Sequence, residues 1–207
     1  MRHDDPKENI LNAATKVFAE RGFRDATVRQ ICAVARTNVS MVNYHFDSKE
    51  KLYAEVVRRL FSFATADDMM CLCEGVKDQK SWQTAIRRFV ETFVGYVTVT
   101  SKPGVYAAQI FRWEVTRPST ISRELQLTYG NKVYEVLKTL LTMALGDDAN
   151  AVKIWGGAIW SRIAALIVID KSWVSHFVPR GVGRDEWLRR VSDNICESVF
   201  GSLHYRG

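Results

Sequence analysis

The sequence predicts an all-α fold. It has 207 residues, of which only 4 are prolines and 12 are glycines, so there are few breaks for the many short strands of a β-sandwich or barrel. Hydrophobic residues make up 47% of the chain and charged residues 25%, a balance that can bury a core. Apolar residues recur at helical spacing along most of the chain, which predicts long amphipathic helices.

The first predicted helix runs from Lys7 to Arg21. Pro6 suits its first turn, where the missing N–H costs no hydrogen bond. Gly22 suits a helix stop in the left-handed conformation. One apolar stripe follows the helix and consists of Ile10, Leu11, Ala14, Val17 and Phe18.

A capping box opens the second predicted helix. The Thr27 hydroxyl can accept from the backbone three residues on, and the Gln30 side chain can reach back. The residues expected to face inward are Val28, Ile31, Cys32 and Ala35. A tight turn at residues 36–38 leads to a short third helix from Val39 to Phe46.

The fourth predicted helix begins after the capping pair Asp47-Ser48 and runs to Phe63. Its apolar face consists of Leu52, Val56, Leu60 and Phe63. The N-terminal part is therefore a helix-turn-helix with flanking helices, and its spacing is that of a DNA-reading motif.

The two faces of the third helix differ in chemistry. At about 100° per residue, Val39, Val42 and Phe46 lie within roughly 60° of one another and form the predicted buried seam. The opposite arc carries Ser40, Met41, Tyr44 and His45, with Asn43 at its flank. This arc has no carboxylate, as contact with a phosphate-lined groove requires.

Three stretches carry a family resemblance, and they lie at residues 18–23 (FAERGF), 27–31 (TVRQI) and 42–52 (VNYHFDSKEKL). In order and spacing they resemble the DNA-binding domain of the TetR family of bacterial transcriptional regulators. The resemblance covers about the first 60 residues. It implies an all-helical homodimer with an N-terminal three-helix helix-turn-helix DNA-binding domain, here residues 1–48. The larger C-terminal helical domain, residues 49–207, would bind a ligand and dimerise.

The predicted DNA contacts fall into two groups, which are contacts to phosphate and the groove, and contacts to base edges. Tyr44 and His45 point outward from the third helix, and Lys49 resembles a phosphate-contacting lysine of the family. Asn43 suits a base edge and Met41 a thymine methyl. The full set is Thr27, Arg29, Arg36, Ser40, Met41, Asn43, Tyr44, His45 and Lys49. Ser40, Met41 and Asn43 could instead pack on sugar, and the two arginines could be solvated.

The rest of the chain predicts further helices at residues 66–76, 82–99, 105–116, 121–145, 149–173 and 185–203, with a turn at Lys102-Pro103-Gly104. Aromatic residues are frequent here, which indicates either an apolar ligand pocket or a large helical core. The candidate ligand-binding residues are Phe89, Phe93, Tyr96, Gln109, Arg112, Trp113, Trp155 and Arg162. If Arg162 is buried it needs a carboxylate or an anionic ligand, and an exposed position stays open.

The last two predicted helices are candidates for the homodimer interface. Gly156-Gly157 weakens its helix, which close packing of helices could offset. The following helix has an apolar face of Trp187, Leu188, Val191, Ile195 and Val199. Two helices from each subunit would form a four-helix bundle. The alternative is that this face is buried within one monomer.

Other classes of protein are disfavoured. The polar N-terminus indicates no secretory signal, and Arg162 interrupts the longest apolar run, so we expect no membrane span. Four cysteines suit reduced thiols in the cytoplasm. Cys71-Leu-Cys73 lacks further ligands at finger-like spacing, so no metal or other cofactor is expected. No catalytic triad, HExxH motif or phosphate-binding glycine loop is present, which argues against an enzyme.

The resulting hypothesis is a ligand-responsive transcriptional regulator of the TetR type. Most members of the family are repressors, so we expect a dimer that binds an inverted-repeat operator and is released by a small molecule. One alternative keeps DNA binding and gives the C-terminal domain a protein partner. The other is a small helical enzyme that uses the aromatic pocket.

Overall fold

The computed structural model describes residues 5–61, 70–98, 102–168 and 176–206, and this part of the chain contains no β-strand. Its α-helices are α1 (Pro6–Asp25), α2 (Val28–Ala35), α3 (Val39–Phe46), α4 (Lys49–Phe61), α5 (Gln79–Thr98), α6 (Lys102–Thr116), α7 (Ser122–Leu125), α8 (Asn131–Leu145), α9 (Ala149–Val168) and α10 (Arg184–Phe200). A π-helical turn, Gln126–Gly130, joins α7 to α8. The all-α prediction is confirmed.

The chain divides into two compact units. The first combines Met1–Phe63 with Ser101–Gln126, and the second combines Ala64–Thr100 with Leu127–Gly207. The predicted boundary between residues 48 and 49 separates a DNA-binding domain from a ligand-binding domain, whereas the two compact units are defined by packing. The boundary stays a prediction.

In the first unit, α1 packs against α2, α4 and α6. Its core contains a cluster of three buried rings. The Phe18 ring meets the Tyr53 ring edge-on with centroids 4.8 Å apart, and the Phe23 and Tyr53 centroids are 5.0 Å apart. This cluster joins α1 to α4. The described residues of the apolar faces predicted for these two helices are all buried, which confirms the faces. Phe63 lies outside the described residues.

Gly22 interrupts α1, but the predicted helix end at Arg21 is wrong because the helix resumes after the glycine and ends at Asp25. The φ of 73° and ψ of 169° at Gly22 are non-helical. A Cβ on Gly22 would lie 2.9 Å from the Trp113 ring, so α6 fills the space that the glycine leaves. The Trp113 indole also donates to the Ala19 carbonyl at 3.0 Å.

Two expectations about the middle of the chain are wrong. The predicted turn at residues 102–104 is instead the first turn of α6, where a proline costs no hydrogen bond. The predicted helix over residues 121–145 is divided into α7, the π-helical turn and α8. Gly130 and Asn131 at that junction have low helix propensity, which favours a break.

The second unit packs α5 against α8, α9 and α10. Trp82 is fully buried, and its indole donates to the Leu140 carbonyl at 2.7 Å. The buried side chains of α10 include Leu188, Ile195 and Val199. These three residues are predicted to lie at a subunit interface, but they fill the core of their own monomer. This is the alternative given above, in which the apolar face of the helix is buried within one monomer.

The other predicted helices agree only in part with the described ones. Helix α10 ends at Phe200, three residues earlier than predicted, and α9 is described to Val168, so residues 169–173 of its prediction lie outside the described range. Of the helix predicted at 66–76, residues 66–69 are not described, and residues 71–75 form turns. No described helix is both long and apolar enough to cross a membrane.

Candidate nucleic-acid interface

Local hydrogen bonds fix the helix-turn-helix. The Thr27 hydroxyl accepts from the Gln30 N–H at 3.2 Å, and the Gln30 side chain accepts from the Thr27 N–H at 2.9 Å, which confirms the capping box. Arg36 ends α2 with a left-handed backbone, φ 51° and ψ 47°. Asn38 then caps α3 by accepting from the Met41 N–H at 2.9 Å. These bonds fix the residues at which α2 and α3 begin.

The exposed arc of α3 differs from the predicted arc. Val42 and Phe46 are buried as expected, but Val39 is 41% exposed, so its place in the buried seam was wrong. Tyr44 is 80% exposed, and Ser40 and Asn43 are also exposed. Met41 and His45 are only half-buried rather than fully outward. Helix α3 packs against α1, α2 and α4 together, which turns the buried side toward Met41 and His45.

His45 lies at the border between the surface and the core. Its ring meets the Tyr44 ring edge-on at 5.1 Å and lies 6.3 Å from the Phe46 ring. Its Nε2 atom is buried and forms no hydrogen bond within the described part of the chain. Contact with DNA through Nε2 of His45 would therefore require its ring to move.

A tight γ-turn joins α3 to α4. The Ser48 N–H donates to the Phe46 carbonyl at 2.6 Å, and the central residue Asp47 has φ 61° and ψ −49°. This is a strained conformation for a residue with a side chain. Lys51 forms an exposed ion pair with Asp47 at 2.6 Å. The turn places the start of α4 directly after the exposed arc of α3.

Lys49 already has a structural role. Its Nζ donates to the Ala26 carbonyl at 2.8 Å and lies 4.4 Å from the centroid of the Phe23 ring. The ammonium group therefore links the end of α1 to the start of α4. An ammonium has three donors, so this position is compatible with a phosphate contact.

Helix α6 and the loop after it brace this unit through contacts that no local sequence pattern predicts. Tyr53 donates to Glu114 at 2.6 Å, and the backbone and hydroxyl of Ser119 donate to the other oxygen of that carboxylate at 3.2 and 3.0 Å. Burial, with the bond to Glu114, raises the pKa of Tyr53 above its usual range. The hydroxyl therefore stays protonated and keeps donating.

A second link joins the loop after α6 to the end of α1. The Arg24 guanidinium donates to the Pro118 carbonyl at 3.0 Å, and Arg117 pairs with Asp25 at 2.7 Å. The hydrogen bond from Arg117 lowers the pKa of Asp25. Both partners of each link are far apart in sequence, and no local pattern pairs them.

The candidate ligand-binding residues are dispersed. Phe89 and Phe93 are buried in the second unit with ring centroids 5.0 Å apart, whereas Gln109, Arg112 and Trp113 lie half-buried in the first. Trp155 is half-buried. Arg162 is exposed and donates to the Ser198 hydroxyl at 2.6 Å, which is the alternative that the sequence left open for this arginine. The side chain of Tyr96 lies outside the described residues.

Two open cavities lie along α5 in the second unit. One, of about 340 Å³, is lined by residues that include Cys71, Asp78 and Arg88, and the other, of about 350 Å³, by residues that include Arg87, Glu91 and Phe200. None of the predicted ligand-binding residues lines either cavity. Among the described residues, no cluster of three His, Cys, Asp or Glu could hold a metal ion, and the four cysteines, all of them described, form no disulfide.

The N-terminal part of the first unit is similar in sequence to a known family. Residues 10–56 match the family model described as bacterial regulatory proteins, tetR family. The chain is 41% identical over 59 residues to the transcriptional repressor NicS of Pseudomonas putida, a match that covers 28% of each protein. The chain thus spans only about a quarter of the length of the curated relatives that it matches first.

Solved structures with the same fold cover nearly the whole chain. HlyIIR, a hemolysin II transcriptional regulator, matches with a TM-score of 0.55 and 20% identity over 97% of this chain and 98% of its own. The regulator FadR of Bacillus subtilis was solved in complex with stearoyl-CoA. It matches with a TM-score of 0.59 and 17% identity over 94% of this chain and 97% of its own. Residues 10–56 are thus similar in sequence to the tetR family of bacterial regulatory proteins, and the chain shares its fold with these solved regulators.

Proposed function

We propose that the protein is a ligand-responsive transcriptional regulator that binds a specific DNA operator and acts as a repressor. The observation that carries this proposal is the exposed arc of α3, which presents Ser40, Asn43 and Tyr44 next to the capped turn. A recognition helix enters the major groove and reads base edges with residues such as these.

The residues around this arc suit phosphate contacts. Thr27, Arg29 and Arg36 are exposed on or beside α2, and Lys49 lies at the first position of α4. Basic residues outnumber acidic ones by only three over residues 1–60. Attraction to phosphate from one subunit is therefore moderate, and two linked DNA-binding units would supply the avidity. In this proposal residues 1–48 bind DNA and residues 49–207 bind the effector and the second subunit.

Asn43→Ala should weaken binding to the operator by about tenfold to a hundredfold, because a paired contact from asparagine to adenine is lost. The change removes no charge, so the salt dependence of binding should stay the same. Asn12→Ala is the matched control, since Asn12 is also exposed but lies on α1. Titration of a labelled operator at several salt concentrations measures both quantities. Equal affinity of Asn43→Ala and Asn12→Ala would contradict the assignment.

The effector is proposed to be a small molecule with a large apolar part. FadR, which shares the fold, binds stearoyl-CoA. In the second unit, the aromatic residues Phe89, Phe93 and Trp155 supply apolar side chains for such a ligand. Such a ligand releases DNA only if it binds the DNA-free arrangement more tightly. We assign no catalytic activity and place the protein in the cytoplasm with its operator.

A homodimer is proposed to form through α9 with α10. Helix α9 exposes one face on which Ile154 is 71% exposed and which continues through Gly157, Ala158, Ser161 and Ala165. These positions repeat at helical spacing, and four of the five residues are small, so a second helix can approach closely. The bond from Arg162 to Ser198 ties this helix to α10.

Ile154→Glu should convert the dimer to a monomer at micromolar concentration, because it places a charge in the centre of the proposed interface. Leu127→Glu is the control, since Leu127 is also exposed and apolar but lies outside α9. Sedimentation velocity measures the oligomeric state, and circular dichroism verifies that both variants keep their helices. A stable dimer of Ile154→Glu would exclude this interface.

A further inference from the structure

Val39 is an apolar residue in an unexpected place. It is the first residue of α3 and is 41% exposed, although its helical position predicts burial beside Val42. At about 100° per residue, the exposed side of α3 runs from Val39 through Asn43 and Ser40 to Tyr44. Val39 therefore forms one edge of the surface proposed to contact DNA, and the other three residues carry hydrogen-bonding groups.

The chemistry of the major groove gives this valine a specific counterpart. Each base pair presents hydrogen-bonding groups there, and thymine alone adds a methyl group. The N-terminal residues of a recognition helix contact base edges most directly. We propose that Val39 selects thymine at one position of each operator half-site by packing against its 5-methyl group. This inference rests on the proposed DNA-binding function.

The structure favours Val39 over Met41 for this role. Met41 is half-buried against the body of the unit, whereas Val39 is exposed. Valine is also stiff, because its branched Cβ restricts χ1, so less side-chain entropy is lost when its methyl groups are ordered. A flexible methionine gives a less selective apolar contact.

The position of the thymine follows from the spacing of Val39 and Asn43. Residues four apart on a helix have Cβ atoms about 5–6 Å from each other. Successive bases on one strand are about 3.4 Å apart. The selected thymine should therefore lie within about two base pairs of the base that Asn43 contacts.

Removal of single methyl groups tests the proposal. Operator thymines are replaced one symmetric pair at a time by uracil, and the affinities of the wild type, Val39→Ala and Val34→Ala are compared for each duplex. At one pair the wild type should lose about fourfold in affinity per half-site, the value for one buried methylene-sized group. Val39→Ala should bind the thymine operator with an affinity lower than that of the wild type by a similar factor. Replacement of that thymine by uracil should not lower the affinity of Val39→Ala further. Val34 is an exposed valine on α2, so Val34→Ala should discriminate as the wild type does.

The possible results separate the inference from the function on which it rests. Equal discrimination at every thymine by the wild type and Val39→Ala would overturn the role of Val39 and leave DNA binding intact. Absence of specific binding by the wild type would overturn both. Melting curves verify folding of Val39→Ala, whose exposed side chain should leave thermal stability nearly unchanged.

Discussion

Trp82→Ala should lower the free energy of unfolding by about 3–5 kcal/mol, the cost of truncating a large aromatic residue in a packed core. Trp82 is fully buried, and its indole N–H reaches the Leu140 carbonyl on α8. Its ring also meets the Phe200 ring of α10 edge-on at 5.9 Å. One side chain thus joins α5 to two other helices of the second unit.

Trp82→Phe separates packing from hydrogen bonding. Phenylalanine keeps most of the ring but loses the donor and leaves a smaller cavity, so we expect a loss of about 1–2 kcal/mol. Chemical denaturation followed by circular dichroism measures both variants against the wild type. A loss of less than about 1 kcal/mol for Trp82→Ala would show that this tryptophan is not central to the core.

Gly22→Ala should lower the free energy of unfolding by roughly 2–5 kcal/mol, since two costs act at one position. The backbone has φ 73° and ψ 169°, a region that is almost restricted to glycine. The added methyl would also lie 2.9 Å from the Trp113 ring. That ring cannot move freely, because its N–H is bonded to the Ala19 carbonyl.

Two further variants separate the costs at Gly22. Gly75 has a similar φ of 75°, and a Cβ added there would meet no atom within 4 Å. Gly75→Ala should therefore cost only the backbone strain, about 1–2 kcal/mol. In Gly22→Ala with Trp113→Leu the clash disappears, so the two losses should not add. Denaturant titrations of these variants and of Trp113→Leu alone give the values. Equal losses for Gly22→Ala and Gly75→Ala would contradict the close approach of Trp113.

Local signals predicted the DNA-binding motif well. The bounds of α3 follow from the turn at Arg36 and the γ-turn at Asp47, and the capping box at Thr27 is a four-residue pattern. Each of these features depends on neighbouring residues, so the sequence contains the full cause. The break at Gly22 was predictable for the same reason.

Features that depend on distant residues were not predictable. The exposure of Val39 results from how α3 packs on three other helices, and a helical wheel treats one helix alone. Likewise, Tyr53 and Glu114 are 61 residues apart, and nothing local pairs them. Arg162 lies in an apolar run that suggests burial, yet its side of α9 is exposed. The predicted ligand-binding set has the same weakness, because a cavity is a property of packed helices.

The most direct test of sequence-specific DNA binding is selection from random duplex DNA with the purified protein at about 100 mM salt, where phosphate contacts remain effective. We predict recovery of an inverted repeat whose half-sites are about one helical turn apart, or slightly more, as a twofold dimer of recognition helices requires. Recovery of random sequences by a folded dimer, with and without extraction of co-purified small molecules, would contradict the proposed function.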